Sequence, residues 1–276
     1  MMTEKTIKVP NVREFNCEEQ GITQLDLSEC PKLKELSCST NQIRKMDLSN
    51  CPNLTNLYCC SNKLKELDLS NCPKLKKLAC SRNKIRELNL SNCPKLEMFE
   101  CQNNKLDELD MSHCPKLTYF SCNNNDITFL NLSTCPNLYI VYCIGNDCVK
   151  LSLNNCRNLG FVGCGENKLK ELDLSGCPML EHIECENNKL KRLNLYHCLK
   201  LKTIDCSLNN LEELDISQND CLEELIAEDP MSDEDSRENL FIPNSGFRNG
   251  LEVLNLEKYR EWCKENYTYH NGVFVK

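Results

Sequence analysis

The sequence of 276 residues contains little of what a membrane protein, a metal site or a hydrolytic site needs. It has no run of 18 apolar residues, which predicts that no segment crosses a membrane. Its charged beginning, Met-Met-Thr-Glu-Lys-Thr-Ile-Lys-Val-Pro, lacks the apolar core of a secretory signal. No Cys-x-x-Cys occurs, and the four histidines, at positions 113, 182, 197 and 270, are too scattered for a metal site. We therefore expect neither a metal nor another cofactor.

Excess positive charge is also lacking. Residues 1–211 hold 27 Lys and Arg against 25 Asp and Glu, whereas residues 212–276 hold 6 against 16. The first part is thus nearly neutral, and the net charge of −8 belongs to the last part. Because a nucleic-acid-binding surface is basic, this distribution predicts no nucleic-acid partner.

Cysteine, by contrast, is abundant, and most of the 23 cysteines fall into two series with a spacing of 21 residues. The first series is Cys17, Cys38, Cys59, Cys80, Cys101, Cys122, Cys143, Cys164, Cys185 and Cys206, and the second is Cys30, Cys51, Cys72, Cys93, Cys114, Cys135, Cys156, Cys177 and Cys198. A free cysteine packs as a small apolar side chain. Coils stacked about 4.8 Å apart do not suit a disulfide, which prefers Cβ atoms ~3.8 Å apart. We therefore expect reduced core thiols and an intracellular, cytoplasmic protein, with a secreted effector as the alternative.

The whole sequence repeats with the same 21-residue period. Aligned on it, each coil reads Leu-x-x-Leu-x-Cys-x-x-Asn-x-Leu-x-x-Leu-Asp-Leu-Ser-x-Cys-Pro-x, as in Leu54–Lys74. The stretch Leu64–Cys80, with the three residues that follow, shows the same pattern from its second half onward. Self-similarity at such a period predicts a solenoid. The pattern resembles the leucine-rich repeat signature from Val12 to Ala227, in the short, nested form with two half-repeats per coil that is typical of bacterial proteins.

This resemblance and the period-2 alternation imply a mainly β fold: a solenoid of about ten coils, with two short parallel strands per coil on opposite flanks. Residues 1–11 would form an N-terminal cap segment that adds a strand, and residues 12–227 the solenoid. Residues 228–276 would form an acidic insertion and a small α/β cap. The cap is expected to contain a strand at Leu251–Leu256, a helix within Glu257–Asn266 that carries Trp262, and a hairpin at Asn271-Gly272.

Two further series of polar residues follow the period. An Asn at the corner after each first strand predicts a structural ladder, because an amide can satisfy turn groups of its own and adjacent coils; the series is Asn41, Asn62, Asn83, Asn104, Asn125, Asn146, Asn167, Asn188 and Asn209. The middle of each second strand holds Asp, Asn or Ser: Asp26, Asp47, Asp68, Asn89, Asp110, Asn131, Ser152, Asp173, Asn194 and Asp215. Stacked carboxylates could hold Ca²⁺, but Asn and Ser interrupt the series, which favours a structural role.

Strand alternation also predicts which side chains of the first strands point outward. Among them, Met98, Tyr119, Ile140, Tyr142, Ile144 and Phe161 form an apolar stripe across four coils, with acids on its C-terminal side. Exposed apolar clusters mark interaction sites, and leucine-rich repeat proteins usually receive another protein on this sheet. The predicted partner-binding residues are Tyr58, Met98, Glu100, Tyr119, Ile140, Tyr142, Ile144, Phe161, His182 and Glu184.

These observations predict a non-enzymatic protein-interaction scaffold whose acidic flank selects basic groups, with no membrane or nucleic-acid partner. One alternative is a thiol-dependent effector or enzyme that uses Cys60 or Cys263, although no base lies beside Cys60 in the sequence. Another is a structural, self-associating solenoid in which a second copy, or the C-terminal cap, covers the stripe.

Overall fold

The computed structural model describes residues 4–211, 213–216, 218–226, 254–255, 268–270 and 273–275. The chain forms two compact units, Met1–Leu138 and Tyr139–Lys276, which we call unit 1 and unit 2. Both are built from short strands connected by turns, and the described residues include no α-helix, hence none that could span a membrane. The predicted β-solenoid with 21-residue coils is confirmed in each unit.

Unit 1 is organised by a parallel sheet of the first strands of successive coils. The strands of this unit are β1 (Thr6–Lys8), β2 (Glu14–Asn16), β3 (Gln24–Asp26), β4 (Glu35–Ser37), β5 (Asn56–Tyr58), β6 (Lys77–Ala79), β7 (Met98–Glu100), β8 (Tyr119–Ser121) and β9 (Phe129–Asn131). The sheet contains β2, β4, β5, β6, β7 and β8 in that order. Each residue pairs with the residue 21 positions later, as Tyr58 does with Ala79. The constant coil length therefore sets the register.

Unit 2 repeats this organisation. Its strands are β10 (Ile140–Tyr142), β11 (Lys150–Ser152), β12 (Phe161–Gly163), β13 (Glu171–Asp173), β14 (His182–Glu184), β15 (Arg192–Asn194), β16 (Thr203–Asp205), β17 (Glu213–Leu214), β18 (Glu224–Ile226), β19 (Leu254–Asn255), β20 (Thr268–His270) and β21 (Val273–Val275). The first strands β10, β12, β14, β16 and β18 pair in parallel with the same 21-residue offset. On the other flank, β13 pairs in parallel with β15.

The second flank is less regular than predicted. Four consecutive coils of unit 1 have no strand at the positions equivalent to β3, around Met46, Leu67, Leu88 and Leu109. On this flank, one backbone hydrogen bond at the corner connects each of these coils to the next, such as that from Lys63 N–H to the Ile43 carbonyl at 2.9 Å. A strand needs several successive groups to find partners in the next coil, so the expectation of two strands in every coil is wrong here.

Leucine and cysteine fill the interior, as their spacing predicts. In unit 1, Leu54, Leu57, Cys51 and Cys59 are all fully buried, and in two later coils the rings of Phe99 and Phe120 stack with centroids 5.5 Å apart. The 22 described cysteines are free thiols, and both series are buried. Burial raises the pKa of the Cys51 thiol to about 11 and that of Cys59 well above its ordinary value. These thiols therefore behave as neutral packing groups.

The asparagine ladder is confirmed at the nine corners from Asn41 to Asn209. The Asn62 amide donates to the Cys38 carbonyl of the preceding coil at 3.0 Å and to the Cys59 carbonyl of its own coil at 3.2 Å, and its Oδ1 accepts from Ile43 N–H at 3.0 Å. The residue before each ladder Asn has a left-handed backbone, for example Thr40 with φ 56°. Only in one coil is this residue a glycine, Gly145. The hydrogen bonds of the ladder therefore stabilise a left-handed backbone conformation that most of the residues at this position disfavour.

The two ends add strands of different kinds. At the N-terminus, β1 is an additional strand within residues 1–11 and pairs in parallel with β3. At the C-terminus, β19 pairs antiparallel with β17, so the predicted strand at Leu251–Leu256 does not continue the parallel first-strand sheet. Strands β20 and β21 pair antiparallel on either side of Asn271-Gly272, as in the expected hairpin. The acidic insertion, Trp262 and Cys263 lie outside the described residues.

Candidate partner-binding face

The first-strand face consists of the outward side chains of the first strands and of the residue two positions after each strand. The alternation that carries it is clear in β7, where Phe99 is buried between the half-buried Met98 and Glu100, and in β10, where Val141 is buried between Ile140 and Tyr142. All ten predicted partner-binding residues are outward and half-buried: Tyr58, Met98, Glu100 and Tyr119 in unit 1, and Ile140, Tyr142, Ile144, Phe161, His182 and Glu184 in unit 2. Small outward residues between them, such as Ala79 and Ser121, are buried by their larger neighbours.

In unit 1, a tyrosine and a carboxylate of the face lie in one cross-strand row with a small residue between them. Tyr58 pairs with Ala79, and Ala79 pairs with Glu100 on the next strand. Burial raises the pKa of the Tyr58 hydroxyl, and the charges of Glu35 and Glu100 raise it further. Burial also raises the pKa of the Glu100 carboxyl, against a smaller opposing effect of a hydrogen bond from Gln102. Both groups therefore lie in surroundings that solvate charge poorly.

The other two predicted residues of unit 1, Met98 and Tyr119, are direct cross-strand partners. They form the unit 1 part of the apolar stripe. Cross-strand neighbours on one face of a sheet are within side-chain contact, so these two offer a continuous apolar surface.

In unit 2, the apolar part is a packed aromatic pair. The rings of Tyr142 and Phe161 have centroids 4.7 Å apart and planes tilted by 44°, a favourable geometry for aromatic contacts. Gly163 lies opposite Tyr142 on the neighbouring strand. A Cβ atom on Gly163 would lie 3.2 Å from atoms of Tyr142, Phe161 and Ile144, closer than ordinary packing. The missing side chain thus lets these three groups pack over the backbone.

Beyond the glycines, unit 2 presents three carboxylates. Glu184 pairs with Asp205 across β14 and β16, and Glu186 follows Glu184 at the next outward position. Burial raises the pKa of Glu184 and of Glu186, and the Asp205 charge raises both further. The Glu186 carboxylate lies over Gly165, where any Cβ atom would overlap it, and its Oε2 is buried without a hydrogen-bond partner.

Sequence reasoning placed Glu184 in the site but missed Glu186 and Asp205. The signal was available, because both occupy outward positions one coil or two residues from Glu184. His182, the remaining predicted residue, lies in the same row as Ile140 and Phe161, and its Nδ1 is 2.9 Å from the Thr203 hydroxyl.

The first-strand face is acidic in both units. In unit 1 its outward positions carry Glu14, Glu18, Glu35 and Glu100 against Lys77, and at its described positions in unit 2 they carry Glu184, Glu186, Asp205 and Glu224 with no Lys or Arg. Because residues 1–211 as a whole are nearly neutral, the basic side chains lie elsewhere on the coils. The first-strand face therefore carries an excess of negative charge.

The second-flank carboxylates have a local structural role. Oδ1 of Asp47 accepts from Ser49 N–H at 2.9 Å, and Asn89 makes the same bond to Ser91 at 2.9 Å. This hydrogen bond lowers the pKa of Asp47. An Asx turn needs only the side-chain oxygen, which explains why both Asp and Asn occur at this position of the coil. Among the residues that the structure describes, no cluster of three or more metal-ligating side chains occurs.

Cys60, the thiol candidate that the structure describes, is not activated. Cys60 is half-buried, and burial raises its pKa although contacts with Ser81 act in the opposite direction. The exposed cysteine is Cys221, which the repeat pattern did not single out. Cys263 lies outside the described residues.

Comparison with known proteins gives structural matches only: no protein-family model and no curated protein matches the sequence. The functional domain of InlJ from Listeria monocytogenes, which includes a cysteine ladder, is 32% identical over 78% of this chain and 53% of that chain, with a TM-score of 0.63. This chain thus spans about half the length of the InlJ chain. A leucine-rich repeat protein from Leptospira interrogans is 20% identical over 73% of this chain and 62% of that chain, with a TM-score of 0.58. A complex of LRIM1 with APL1C contains a chain that is 23% identical over 81% of this chain and 51% of that chain, with a TM-score of 0.60.

The 21-residue coils, the parallel first-strand sheets, and the buried leucine, cysteine and asparagine ladders agree with these matches. The chain is a leucine-rich repeat protein.

Proposed function

We propose that this chain is a non-enzymatic scaffold that binds another protein through its first-strand face. The observation that carries the proposal is the composition of that face: half-buried aromatic and aliphatic side chains lie beside carboxylates whose pKa values are raised by burial. Tyr, Phe and Met are enriched at protein interfaces, and Tyr is common among residues that dominate binding energy.

The scaffold suits this role because its binding side chains are fixed before the partner arrives. Tyr142 is held by its contact with Phe161, and the strands that carry both are paired in register. Ordering such side chains on binding would otherwise cost about 0.5–1.5 kcal/mol each. The similar structure of LRIM1 with APL1C is itself a complex, which supports a protein partner in general terms.

The thiol-enzyme alternative has less support. A cysteine nucleophile needs a lowered pKa or an adjacent base, whereas burial raises the pKa of Cys60. This position therefore has the properties of a packing residue at the edge of the face.

The proposal is tested with Tyr119→Asp and Tyr142→Asp, which place a charge within the apolar part of each unit. Tyr196→Asp is the matched control, because Tyr196 is 60% exposed and lies in the turn after β15, away from the first strands. Wild-type protein and variants serve as bait for the protein that co-purifies with the wild type from its native cell, after each variant has shown wild-type circular dichroism and urea unfolding. We expect the two face variants to lose that protein and the control to keep it.

Equal recovery by all three variants would contradict the proposal. The self-association alternative has its own signature: sedimentation would show a concentration-dependent dimer of the wild type that Tyr142→Asp dissociates, and the co-purifying protein would be the chain itself.

A further inference from the structure

Among the described residues, the carboxylates Glu184, Glu186 and Asp205 of the unit 2 face are unusual because no Lys or Arg forms an ion pair with them. Elsewhere in unit 2, a lysine 21 residues away approaches an acid, as Lys168 does Asp147 at 2.7 Å and Lys202 does Glu181 at 2.5 Å. Within the described residues, Glu184, Glu186 and Asp205 form no such ion pair. The charge of His182 acts on Glu184 and is the smallest of the effects on its pKa.

Two glycines bring the aromatic side chains and the carboxylates together. In the middle row of the face, Gly163 lies between Tyr142 and Glu184, and in the next row Gly165 lies beneath Glu186. Because Gly163 has no side chain, the rings of Tyr142 and Phe161 and the side chain of Ile144 extend over it towards Glu184. The result is an aromatic wall that adjoins the carboxylates on the same face.

The acceptors of this site have few donors within the protein. Asp205 accepts from Ser207, from its N–H at 3.0 Å and its hydroxyl at 2.6 Å, but Glu186 Oε2 is buried and receives no hydrogen bond. A buried acceptor without a donor costs free energy, and a ligand that supplies N–H groups removes that cost once the Glu186 side chain turns outward from Gly165.

We propose that Tyr142, Phe161, Glu184, Glu186 and Asp205 receive one arginine side chain of the partner protein. A guanidinium is planar and weakly hydrated and carries five donors, so that it can stack on an aromatic ring while donating to more than one carboxylate. A lysine ammonium is a compact and strongly hydrated point charge, which fits this wall less well. The inference rests on the proposed function, because the arginine belongs to the protein that the face binds.

The test uses the whole chain and a small probe, N-acetyl-arginine methylamide, followed by ligand-observed and ¹⁵N-resolved NMR. We expect saturable binding with a dissociation constant on the order of 1 mM, as suits a ligand of this size, and shifts centred on β10, β12 and β14. The neutral isostere N-acetyl-citrulline methylamide should bind at least tenfold more weakly, and the corresponding lysine probe should also bind more weakly.

The diagnostic variant is Glu184→Gln with Glu186→Gln, which keeps the shape of both side chains and removes their charge. It should weaken binding of the arginine probe at least tenfold. The matched control, Glu171→Gln with Glu223→Gln, changes two exposed acids of the same unit outside the first-strand face and should leave binding within twofold.

Binding of citrulline or lysine as tight as that of arginine would overturn the inference, as would the absence of saturation or equal effects of the two double variants. The outcome is separable from that of the proposed function. If Tyr142→Asp abolishes partner recovery but the arginine probe does not bind, the scaffold function stands and the arginine site fails. If the probe binds as expected but partner recovery is unaffected by Tyr142→Asp, the proposed function fails.

Discussion

Replacing one ladder asparagine tests how the coils are held together. Asn62 is buried at a corner of unit 1 and makes four hydrogen bonds: from its amide to the carbonyls of Cys38, Cys59 and Cys60, and to its Oδ1 from Ile43 N–H. Asn62→Ala removes all four. The free-energy cost depends on whether each former partner of Asn62 keeps another hydrogen bond.

The carbonyls keep a partner, whereas the N–H does not. Cys38 O also accepts from the Asn41 amide at 2.9 Å, and Cys59 O from the Asn83 amide at 3.0 Å. Ile43 N–H, on a fully buried residue, loses its acceptor. A buried group left unsatisfied costs about 1–3 kcal/mol, and each lost hydrogen bond with a remaining alternative less than about 1 kcal/mol. We therefore expect Asn62→Ala to lower the free energy of unfolding by about 2–4 kcal/mol, measured by urea denaturation.

Two further variants sharpen this prediction. Asn71→Ala removes an exposed Asn that bonds only the neighbouring Ser70 hydroxyl at 3.2 Å, and should change stability by less than about 0.5 kcal/mol. Asn62→Asp restores the acceptor for Ile43 N–H but aims a carboxylate at carbonyl oxygens, so its stability should rise as the pH falls and the carboxyl becomes a donor. An Asn62→Ala protein as stable as the Asn71→Ala control would refute the ladder as the link between coils.

Two other predictions concern the corners and the thiols. Thr40→Gly should raise the free energy of unfolding by about 0.5–1 kcal/mol, because Thr40 has φ 56° and a β-branched residue is strained there; Thr118→Gly, at an exposed position without positive φ, should lower it, and a loss of stability in both variants would contradict the reasoning. In thiol labelling of the native protein at neutral pH, located by mass spectrometry, Cys221 should react first and Cys60 more slowly, whereas ladder cysteines should react only after unfolding; rapid labelling of ladder cysteines would show that they are not core residues.

The repeat unit could be predicted from the sequence because one period fixes many positions at once. Leu57 and Cys59 alternate with Tyr58 in a pattern that only a half-buried strand explains, and Asn62 recurs at the same distance in the next coils. The constant 21-residue offset then fixes the register of every first strand, as the pairing of Tyr58 with Ala79 shows. Local pattern and global fold agree here, which makes the prediction reliable.

Other features depend on information that the repeat does not contain. The coils around Leu67 and Leu88 have the same second-strand pattern as those with β13 and β15, yet they form no strand, because a ladder also depends on how successive coils approach each other on that flank. The left-handed corner was hidden because Thr40 and its equivalents, except Gly145, are not glycines. The antiparallel pairing of β19 with β17 was missed because Leu251–Leu256 imitates a regular first strand.

The candidate site was predictable in its outline and not in its chemistry. Alternation correctly assigned Tyr142 and Phe161 to the outward side, but their ring contact depends on Gly163, which the pattern treats as one more outward position. Likewise, the Glu186 carboxylate can lie where it does only because Gly165, 21 positions earlier, has no side chain. Interactions between coils of unlike sequence, rather than the repeat itself, give the face its chemical character.

The most direct test of the binding face is photo-crosslinking at single positions. A benzophenone amino acid is placed in turn at Tyr58, Tyr142 and Tyr196, and each protein is irradiated with the co-purifying partner. The account predicts crosslinks from Tyr58 or Tyr142 and none from Tyr196. Crosslinks from Tyr196 alone would show that the partner binds a different surface and would contradict the account.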